Sequence, residues 1–354
     1  MTRSIVTMLS LACIGAGCDS APTAPSAGDL GANIGPAASA SITDLGGLGG
    51  FNFGNAINQR GAIVGYGQVN RTQDHAVLVL RDGLIDIASR GQPNFLRLEE
   101  ARAINDRGDI VGSGLRGTLE TRAFLLARGG SVQDLGTLTG SGNSWATDIN
   151  LRGEVVGESY TAVPGERHAF LWTSEGGMTD LGTLAGGTSH ATAINRNGQV
   201  VGLSSAAGST RAFLWERGRG MIDLGTLGGT WASANDINDR GAVAGTSETA
   251  SGASHAFYWS ASTGMIDLGP LPGGTSSNGT AVNNHGHVVG WSSVSSVATA
   301  FFWSRDTGML TLGTLAGFTV GLALDINDSL AITGSNSRPF PLFTRIVRWQ
   351  VTLP

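Results

Sequence analysis

The chain has 354 residues, more than one hydrophobic core usually organises, which indicates two domains or one large repeat architecture. Charged residues make up only 14% of the chain, and glycine, with 55 residues, is roughly twice as frequent as usual. The net charge is −5 and the sequence contains no basic run, which excludes a nucleic-acid interface held by phosphate contacts. A hydrophobic fraction of 41% excludes global disorder.

The first 17 residues are typical of a signal peptide. After a short positively charged start, the apolar stretch Ser4–Ala16 is too short to form a permanent membrane-spanning helix. It leads into Gly15-Ala16-Gly17-Cys18, which resembles the lipobox of bacterial lipoproteins, although Gly15 replaces the usual leucine. We predict a signal peptide over residues 1–17 and lipid attachment at Cys18. Cys13 is a weaker alternative site, and an ordinary secretory peptide with incidental cysteines is the alternative interpretation.

Residues 18–40 are predicted to be the lipidated cysteine followed by a flexible tether. They are rich in Ala, Pro, Ser and Gly, and such a segment buries too little apolar surface to fold. Cleavage before Cys18 leaves one cysteine in the mature chain, which excludes an internal disulfide or a cysteine-based metal cage. The protein is therefore expected to be exported and anchored to a membrane of the bacterial envelope, facing the periplasm or the surface.

From Ile42 onward the chain repeats itself with a period of 43 to 47 residues. In each repeat an aliphatic residue precedes an asparagine, and a glycine follows three places later except in the last copy. The asparagines are Asn58, Asn105, Asn150, Asn195, Asn238, Asn283 and Asn327. So regular a period indicates a repeat architecture and argues against a two-domain enzyme.

Each repeat is predicted to contain four short strands. The first ends in the Ile-Asn pair, and Asn195–Gly198 has the composition of a type I turn that leads into the second strand. The third and fourth strands correspond to His168–Trp172 and Met178–Gly182. Four strands in about 45 residues are typical of a β-propeller blade. We predict an all-β propeller of seven four-stranded blades over residues 41–354, with a right-handed β-solenoid as the alternative.

The two ends of the chain are predicted to complete one blade together. The last repeat stops after a strand that ends at Leu353, without the fourth strand that follows elsewhere. The segment Ile42–Gly46 has that missing sequence and stands alone before the first full repeat. Strand closure between the N- and C-termini would cover an otherwise open sheet edge.

The repeats resemble the HAF repeat family of extracellular repeat proteins. The resemblance rests on His168-Ala169-Phe170-Leu171-Trp172, on Asp180-Leu181-Gly182-Thr183-Leu184 and on the Asp-Ile-Asn-x-x-Gly pieces, and it covers about residues 42–349. It departs from the pattern in the first, second and last repeats. The resemblance implies export and implies no established activity.

No residue set in the sequence predicts a catalytic or metal site. Asp236-Ile237-Asn238 begins like a calcium loop, but Arg240 occupies a ligand position, so Asp148, Asp236 and Asp325 are expected to support their own hairpins. His285 and His287 lack further ligands for zinc. Neither a nucleophile elbow nor a phosphate-binding loop is present. We therefore expect no catalytic residues, no metal, no cofactor and no enzymatic activity.

Ligand-binding residues are predicted on the loops that join each fourth strand to the next first strand, because these loops vary while the strands do not. The candidates are Trp145, Trp231, His190 and Asn278, whose chemistry suits a neutral, hydroxylated partner. The preferred function is a monomeric binding or assembly scaffold for a protein or a glycan, in contact with the membrane through its lipid. The alternatives are an extracellular polysaccharide-acting enzyme, in which Glu99, Glu100 and Glu120 stand outside the repeat pattern, and a purely structural surface protein.

Overall fold

A computed structural model of the chain describes residues 38–353, except residues 71, 92, 118–119, 207 and 339–342. The predicted signal peptide, Cys13, Cys18 and all but the end of the predicted tether lie outside the described residues. Within the described part of the chain, the only helix is a short 3-10 helix at Ala88–Gly91. No helix there is long and apolar enough to span a membrane.

The described residues contain 28 strands, which pair in groups of four. In chain order they are β1 (Ser39–Gly46), β2 (Asn52–Ile57), β3 (Ile63–Val69), β4 (Gln73–Leu80), β5 (Gly83–Asp86), β6 (Arg97–Ile104), β7 (Ile110–Arg116), β8 (Glu120–Leu126), β9 (Val132–Asp134), β10 (Ser144–Ile149), β11 (Val155–Tyr160), β12 (Arg167–Thr173), β13 (Gly177–Asp180), β14 (Ser189–Ile194), β15 (Val200–Ala206), β16 (Ser209–Glu216), β17 (Gly220–Asp223), β18 (Gly228–Ile237), β19 (Val243–Thr249), β20 (Ser254–Ser260), β21 (Gly264–Asp267), β22 (Gly274–Val282), β23 (Val288–Val294), β24 (Val297–Ser304), β25 (Gly308–Thr311), β26 (Val320–Ile326), β27 (Ala331–Arg338) and β28 (Phe343–Thr352).

The strands form antiparallel units in which neighbours along the chain are neighbours in the sheet. Five units are separate four-stranded sheets, and the units β14–β17 and β18–β21 are joined by one parallel pair, Thr210 with Trp231. The first strands β2, β6, β10, β14, β18, β22 and β26 each contact the first strands of two neighbouring units, and β26 contacts β2. This closed cycle places the first strands around a central channel, which is the arrangement of a β-propeller and not of a solenoid. We number the units 1 to 7 from β2–β5 onward; seven blades remain a prediction that the cycle supports.

Packing between the units explains why the third strands are apolar on both faces. In β12 the four residues Ala169–Trp172 are all buried, because a neighbouring unit covers each side of the sheet. Phe170 lies opposite Gly157 of β11, and the same Phe–Gly pair recurs in units 2, 4, 5 and 6. A Cβ atom on Gly157 would lie 1.9 Å from the backbone oxygen of Trp145. The close approach of the two backbones therefore requires glycine at this position.

The N- and C-terminal strands complete the last unit as predicted. Strand β1 pairs antiparallel with β28 from Ser39 opposite Thr352 to Asp44 opposite Val347. The sheet order is β1-β28-β27-β26, so the strand nearest the N-terminus takes the outer position that a fourth strand holds elsewhere. Ile42 packs against the buried core around Trp349.

Deleting Ser39–Gly46 should destabilise the propeller strongly. The deletion would expose the ladder edge of β28 and the core beneath Ile42, and we expect the Tm to fall by more than about 10 °C. The measurement is thermal unfolding followed by circular dichroism. The control is deletion of residues 21–36, which should change the Tm by less than about 2 °C. Equal losses in the two variants would show that β1 does not close the unit.

Candidate functional site

The repeated asparagines close a ring of hydrogen bonds at one end of the channel. The Nδ2 atom of each asparagine donates to the backbone oxygen of the asparagine in the next unit at 2.8–3.2 Å, and Asn327 donates to Asn58. The Oδ1 atom of Asn150 also accepts the backbone N–H groups of Arg152 and Glu154 within its own turn. The side chains are buried, so both functions of the amide are satisfied inside the protein. We call this set the asparagine ring.

Asp148, Asp236 and Asp325 connect neighbouring units just inside the asparagine ring. In Asp148 one carboxylate oxygen accepts the N–H of Ile149 at 2.7 Å, and the other accepts the N–H of Ile194 in the next unit at 2.8 Å. Asp236 and Asp325 make the same pair of bonds, to Val282 and to Ile57 across the unit boundary. The expectation that these aspartates support only their own hairpins is therefore too narrow.

Burial raises the pKa of all three carboxyl groups. The pKa of Asp148 rises to about 7 and that of Asp236 to about 6, in each case against backbone hydrogen bonds that favour the ionised form. Burial and then the charge of Asp236 raise the pKa of Asp325 to about 8. The charge of Asp148 raises the pKa of Asp325 further.

The opposite end of the channel is lined by unlike residues. The residue five places before each ring asparagine lies between mostly buried neighbours and, except for Ser233, is partly exposed. All seven lie on the first strands, which surround the channel. They are Phe53, Glu100, Trp145, His190, Ser233, Asn278 and Leu322. We call them the mouth ring.

The structure brings three of the four predicted ligand-binding residues into the mouth ring. Trp145 and His190 come from neighbouring units, and Asn278 lies two units beyond His190. Trp231 lies elsewhere: it pairs with Thr210 on a third strand of the preceding unit and is 37% exposed. Trp231 thus lies two residues before Ser233, the mouth-ring residue of its own strand, and is not part of the ring.

A charged cluster surrounds His190 at the mouth. The carboxylate of Glu158 lies 3.2 Å from Nδ1 of His190 and 2.5 Å from a guanidinium nitrogen of Arg167. The Arg167 guanidinium in turn lies over the ring of Trp145, at 5.8 Å from its centroid. Burial opposes ionisation of Glu158, but His190 and Arg167 outweigh it and lower the pKa of this carboxyl group. Glu158 is therefore ionised at neutral pH.

The pKa of the second carboxyl group at the mouth, that of Glu100, is shifted in the opposite direction, upward. Its Oε1 atom accepts from Nε of Arg102 at 2.9 Å and from Nδ2 of Asn55 at 3.2 Å. Its side chain is only 16% exposed, and burial raises its pKa despite these two donors. Burial and the charge of Glu100 likewise raise the pKa of the Tyr66 hydroxyl. The mouth thus holds one carboxyl group biased toward protonation and one held ionised.

The sequence singled out Glu100 but missed the residues that surround it and His190. Glu158 and Arg167 lie on second and third strands, where nothing in the repeat marks them as channel residues. The available signal was departure from the repeat, because Arg102 stands where the other units have Thr, Asn or Leu.

The His-Asp pairs of the repeat motif are structural. His75, His168 and His255 lie 2.7–2.9 Å from Asp86, Asp180 and Asp267, respectively, and so join third and fourth strands. The Asp180 carboxylate also accepts the backbone N–H of Gly182 at 2.7 Å. These histidines and aspartates therefore hold neighbouring strands and turns together within each unit.

Metal ligands do not mark another site in the described residues. No three His, Cys, Asp or Glu side chains there lie close enough together to hold a metal ion. Two surface concavities lie away from the mouth ring, one beside Gln199 and Arg217 and one beside Asn94 and Arg116.

Comparison with known proteins supports the fold and no closer relationship. No protein-family model matches the chain, and no curated protein is significantly similar to it in sequence. A puromycin-hydrolysing peptidase of Mycobacterium tuberculosis is structurally similar over 86% of this chain and 52% of its own, with a TM-score of 0.58 and 12% identity. Virginiamycin B lyase from Staphylococcus aureus is similar over 88% of this chain and 99% of its own, with a TM-score of 0.53 and 9% identity. TolB from Acinetobacter baumannii covers 70% of this chain and 62% of its own, with a TM-score of 0.49 and 13% identity.

The peptidase and lyase structures, whose TM-scores exceed 0.5, confirm the predicted all-β propeller fold. They also correct the expectation that the protein is not an enzyme. Solved structures that share the fold include a lyase and a peptidase, so the lack of a catalytic motif in the sequence is no argument against catalysis.

Stability should fall as the pH rises from about 4 to about 8. The pKa values of Asp148, Asp236 and Asp325 lie above the value of about 3.9 for an unfolded chain, so the folded state binds more protons in this interval. The stabilisation is complete below the unfolded pKa and is lost as the pH passes the folded values. We expect a higher Tm at pH 5 than at pH 8.

Asp325→Ala should flatten this dependence, because it removes the group with the highest of the three pKa values. Alanine is the residue that four other units carry at this position. Thermal unfolding at a series of pH values measures the effect, with the exposed Glu175→Ala as control. Parallel pH profiles for wild type and Asp325→Ala would contradict the assignment.

Proposed function

We propose that the protein is an exported, membrane-anchored lipoprotein whose propeller binds a protein or glycan ligand at the mouth ring. The observation that carries this proposal is the concentration of unlike aromatic and charged side chains at one structurally equivalent position of an otherwise repetitive scaffold. At the other end of the channel the equivalent position is asparagine in every unit, and its hydrogen bonds are used within the protein.

The chemistry of the mouth favours a neutral, hydroxylated ligand. Arg167 and Arg102 are each paired with a carboxylate, so the arginines carry no uncompensated charge for an ionic partner. Trp145 supplies an aromatic surface for stacking, and the partly exposed Asn278 supplies hydrogen-bonding groups. Sugars can both stack on an aromatic ring and form hydrogen bonds, and polar protein segments can do the same.

Export and anchoring are supported by the leader and the Cys18 lipobox, and the HAF resemblance agrees with them. In this proposal the propeller acts as a monomer, with the membrane in contact through the lipid and with no nucleic-acid partner. The predicted tether joins the propeller to the lipid.

Trp145→Ala should weaken ligand binding at least about tenfold, because aromatic anchors dominate binding energies at such surfaces. Binding of the full chain to a glycan array and to immobilised envelope extract measures the effect, with folding checked by circular dichroism. Trp231→Ala is the matched control, since it removes a more exposed tryptophan outside the mouth ring. Loss of binding in the Trp231 variant alone would place the site elsewhere.

Cys18→Ser should abolish incorporation of a labelled fatty acid in growing cells, because the lipobox ends at this residue. Cys13→Ser is the matched control and should be labelled like wild type. Equal labelling of wild type and Cys18→Ser would move the attachment site or remove it from the proposal.

A further inference from the structure

We propose that the mouth ring is also a catalytic site that hydrolyses a glycosidic bond, with His190 as general base and Glu100 as general acid. This inference rests on the proposed function, because the glycan must first bind at the mouth. It adds an activity, and it assigns different roles to the two carboxyl groups there.

His190 has the surroundings of a general base. Its Nδ1 atom lies 3.2 Å from the Glu158 carboxylate, which itself is held by Arg167 at 2.5 Å. A carboxylate at Nδ1 favours the tautomer with the proton on that nitrogen, so the lone pair of Nε2 is available to accept a proton. Nε2 has no hydrogen-bond partner among the described residues, and the side chain is 23% exposed at the channel. A carboxylate thus orients an imidazole whose other nitrogen is free to act on a bound water.

Glu100 has the surroundings of a general acid. Both of its hydrogen-bond donors, from Asn55 and Arg102, reach Oε1, which leaves Oε2 as the oxygen that can carry a proton. Burial raises the pKa of this carboxyl group, so the protonated form persists to higher pH than in an exposed glutamate. Glu158 is held ionised by its contacts with His190 and Arg167, so it orients the imidazole and does not itself donate a proton. The mouth thus holds one carboxyl group that can carry the proton to be donated and one that orients the base.

The ring order places a stacking surface between the two catalytic groups. Glu100, Trp145 and His190 occupy the same position of three consecutive units, and Trp145 is the middle one. A sugar ring stacked on Trp145 would therefore have the acid on one side and the base on the other. Glycoside hydrolysis needs such an acid and base and no oxyanion site, which fits a mouth whose arginines are paired with carboxylates.

The reaction consumes one water molecule in a single displacement. Nε2 of His190 takes a proton from water as the water oxygen bonds to the anomeric carbon. The bond between that carbon and the leaving oxygen breaks, and the leaving oxygen takes the proton from Oε2 of Glu100. Transfer of a proton from His190 to Glu100 through solvent restores the starting state. Because the attack is direct, the anomeric configuration of the product is inverted.

The test compares substrates that differ in their need for acid. The probes are a panel of 2,4-dinitrophenyl glycosides, whose leaving groups need no proton, and the corresponding disaccharides, whose leaving groups do. The full-length wild type should hydrolyse both forms of at least one sugar. Glu100→Gln should lower the rate on the disaccharide by about 100-fold or more and leave the dinitrophenyl glycoside within about tenfold. His190→Gln and Glu158→Gln should slow both substrates by about 100-fold.

Two further readouts separate catalysis from a structural role. Glu99→Gln is the matched control for Glu100, since Glu99 is paired with Arg97 at 2.6 Å; its activity should equal that of wild type. The alkaline limb of the pH–rate profile should move in Glu100→Gln and not in Glu99→Gln. Proton NMR of the first product formed should show the inverted anomer. A retained anomer, or equal loss on both substrates in Glu100→Gln, would overturn the assigned roles.

Binding measured on the same variants distinguishes this inference from the proposed function. A folded His190→Gln that binds glycan within about threefold of wild type and does not cleave it supports both. A wild type that binds glycans at the mouth and cleaves no probe overturns the catalytic inference and leaves the proposed function standing. A wild type that binds only a protein does the same, and one that binds neither ligand overturns both.

Discussion

The asparagine ring is the constraint on which the rest of the structure depends. Each of its seven amides closes its own turn through Oδ1 and holds the next unit through Nδ2, and the last amide donates to the first. No unit can shift along the channel without breaking a buried hydrogen bond on each side, and a buried unpaired amide is costly. The ring therefore sets all the first strands at one height around the axis. It also explains why equivalent residues at the other end of the channel meet at one level.

A β-bulge between the fourth and second residues before each ring asparagine determines which side chains of the first strand share one face. In unit 3, Ala146 lies opposite Gly157 and Asp148 lies opposite Val156, so Thr147 is the extra residue. The extra residue puts Asp148 on the same face of the strand as Trp145, whose partner is Glu158. Strict alternation would have placed the aspartate on the opposite face. The bulge thus brings the buried carboxyl groups and the mouth ring onto one channel surface.

The fold could be predicted from the sequence because it follows from the regular spacing of the repeats. The site could be predicted only in part, because its residues are those that depart from the repeat. Strand order and closure could be predicted from the spacing of the asparagines Asn58 to Asn327 and from the separate fourth-strand sequence Ile42–Gly46. Trp145 and Trp231 looked equivalent, since both precede their ring asparagine by a few residues. They differ by two positions, and at that distance β18 has moved outward to pair with β16. Glu158 reaches the mouth only because β11 pairs with β10 at Trp145, a register that a linear sequence does not display.

The distribution of the inner aspartates follows from a competition for backbone N–H groups around the same ring. An aspartate such as Asp148 uses its own following N–H, at Ile149, and the equivalent N–H in the next unit, at Ile194. If the next unit also carried an aspartate in place of Ala193, that residue would claim the Ile194 N–H for itself, and one N–H cannot fully serve both. Adjacent units therefore cannot both carry the aspartate.

In a closed cycle of seven units, this rule allows at most three aspartates, and the protein has three, in units 3, 5 and 7. With three aspartates in a cycle of seven, one adjacent pair of units must both lack the aspartate. That pair is units 1 and 2, where Ala56 and Ala103 stand in its place. There Asn55 reaches across the boundary to Glu100 and to the backbone oxygen of Ala101. At the boundary between the two units that both lack the aspartate, the contact across the units is thus made by a residue that also positions Glu100 at the mouth.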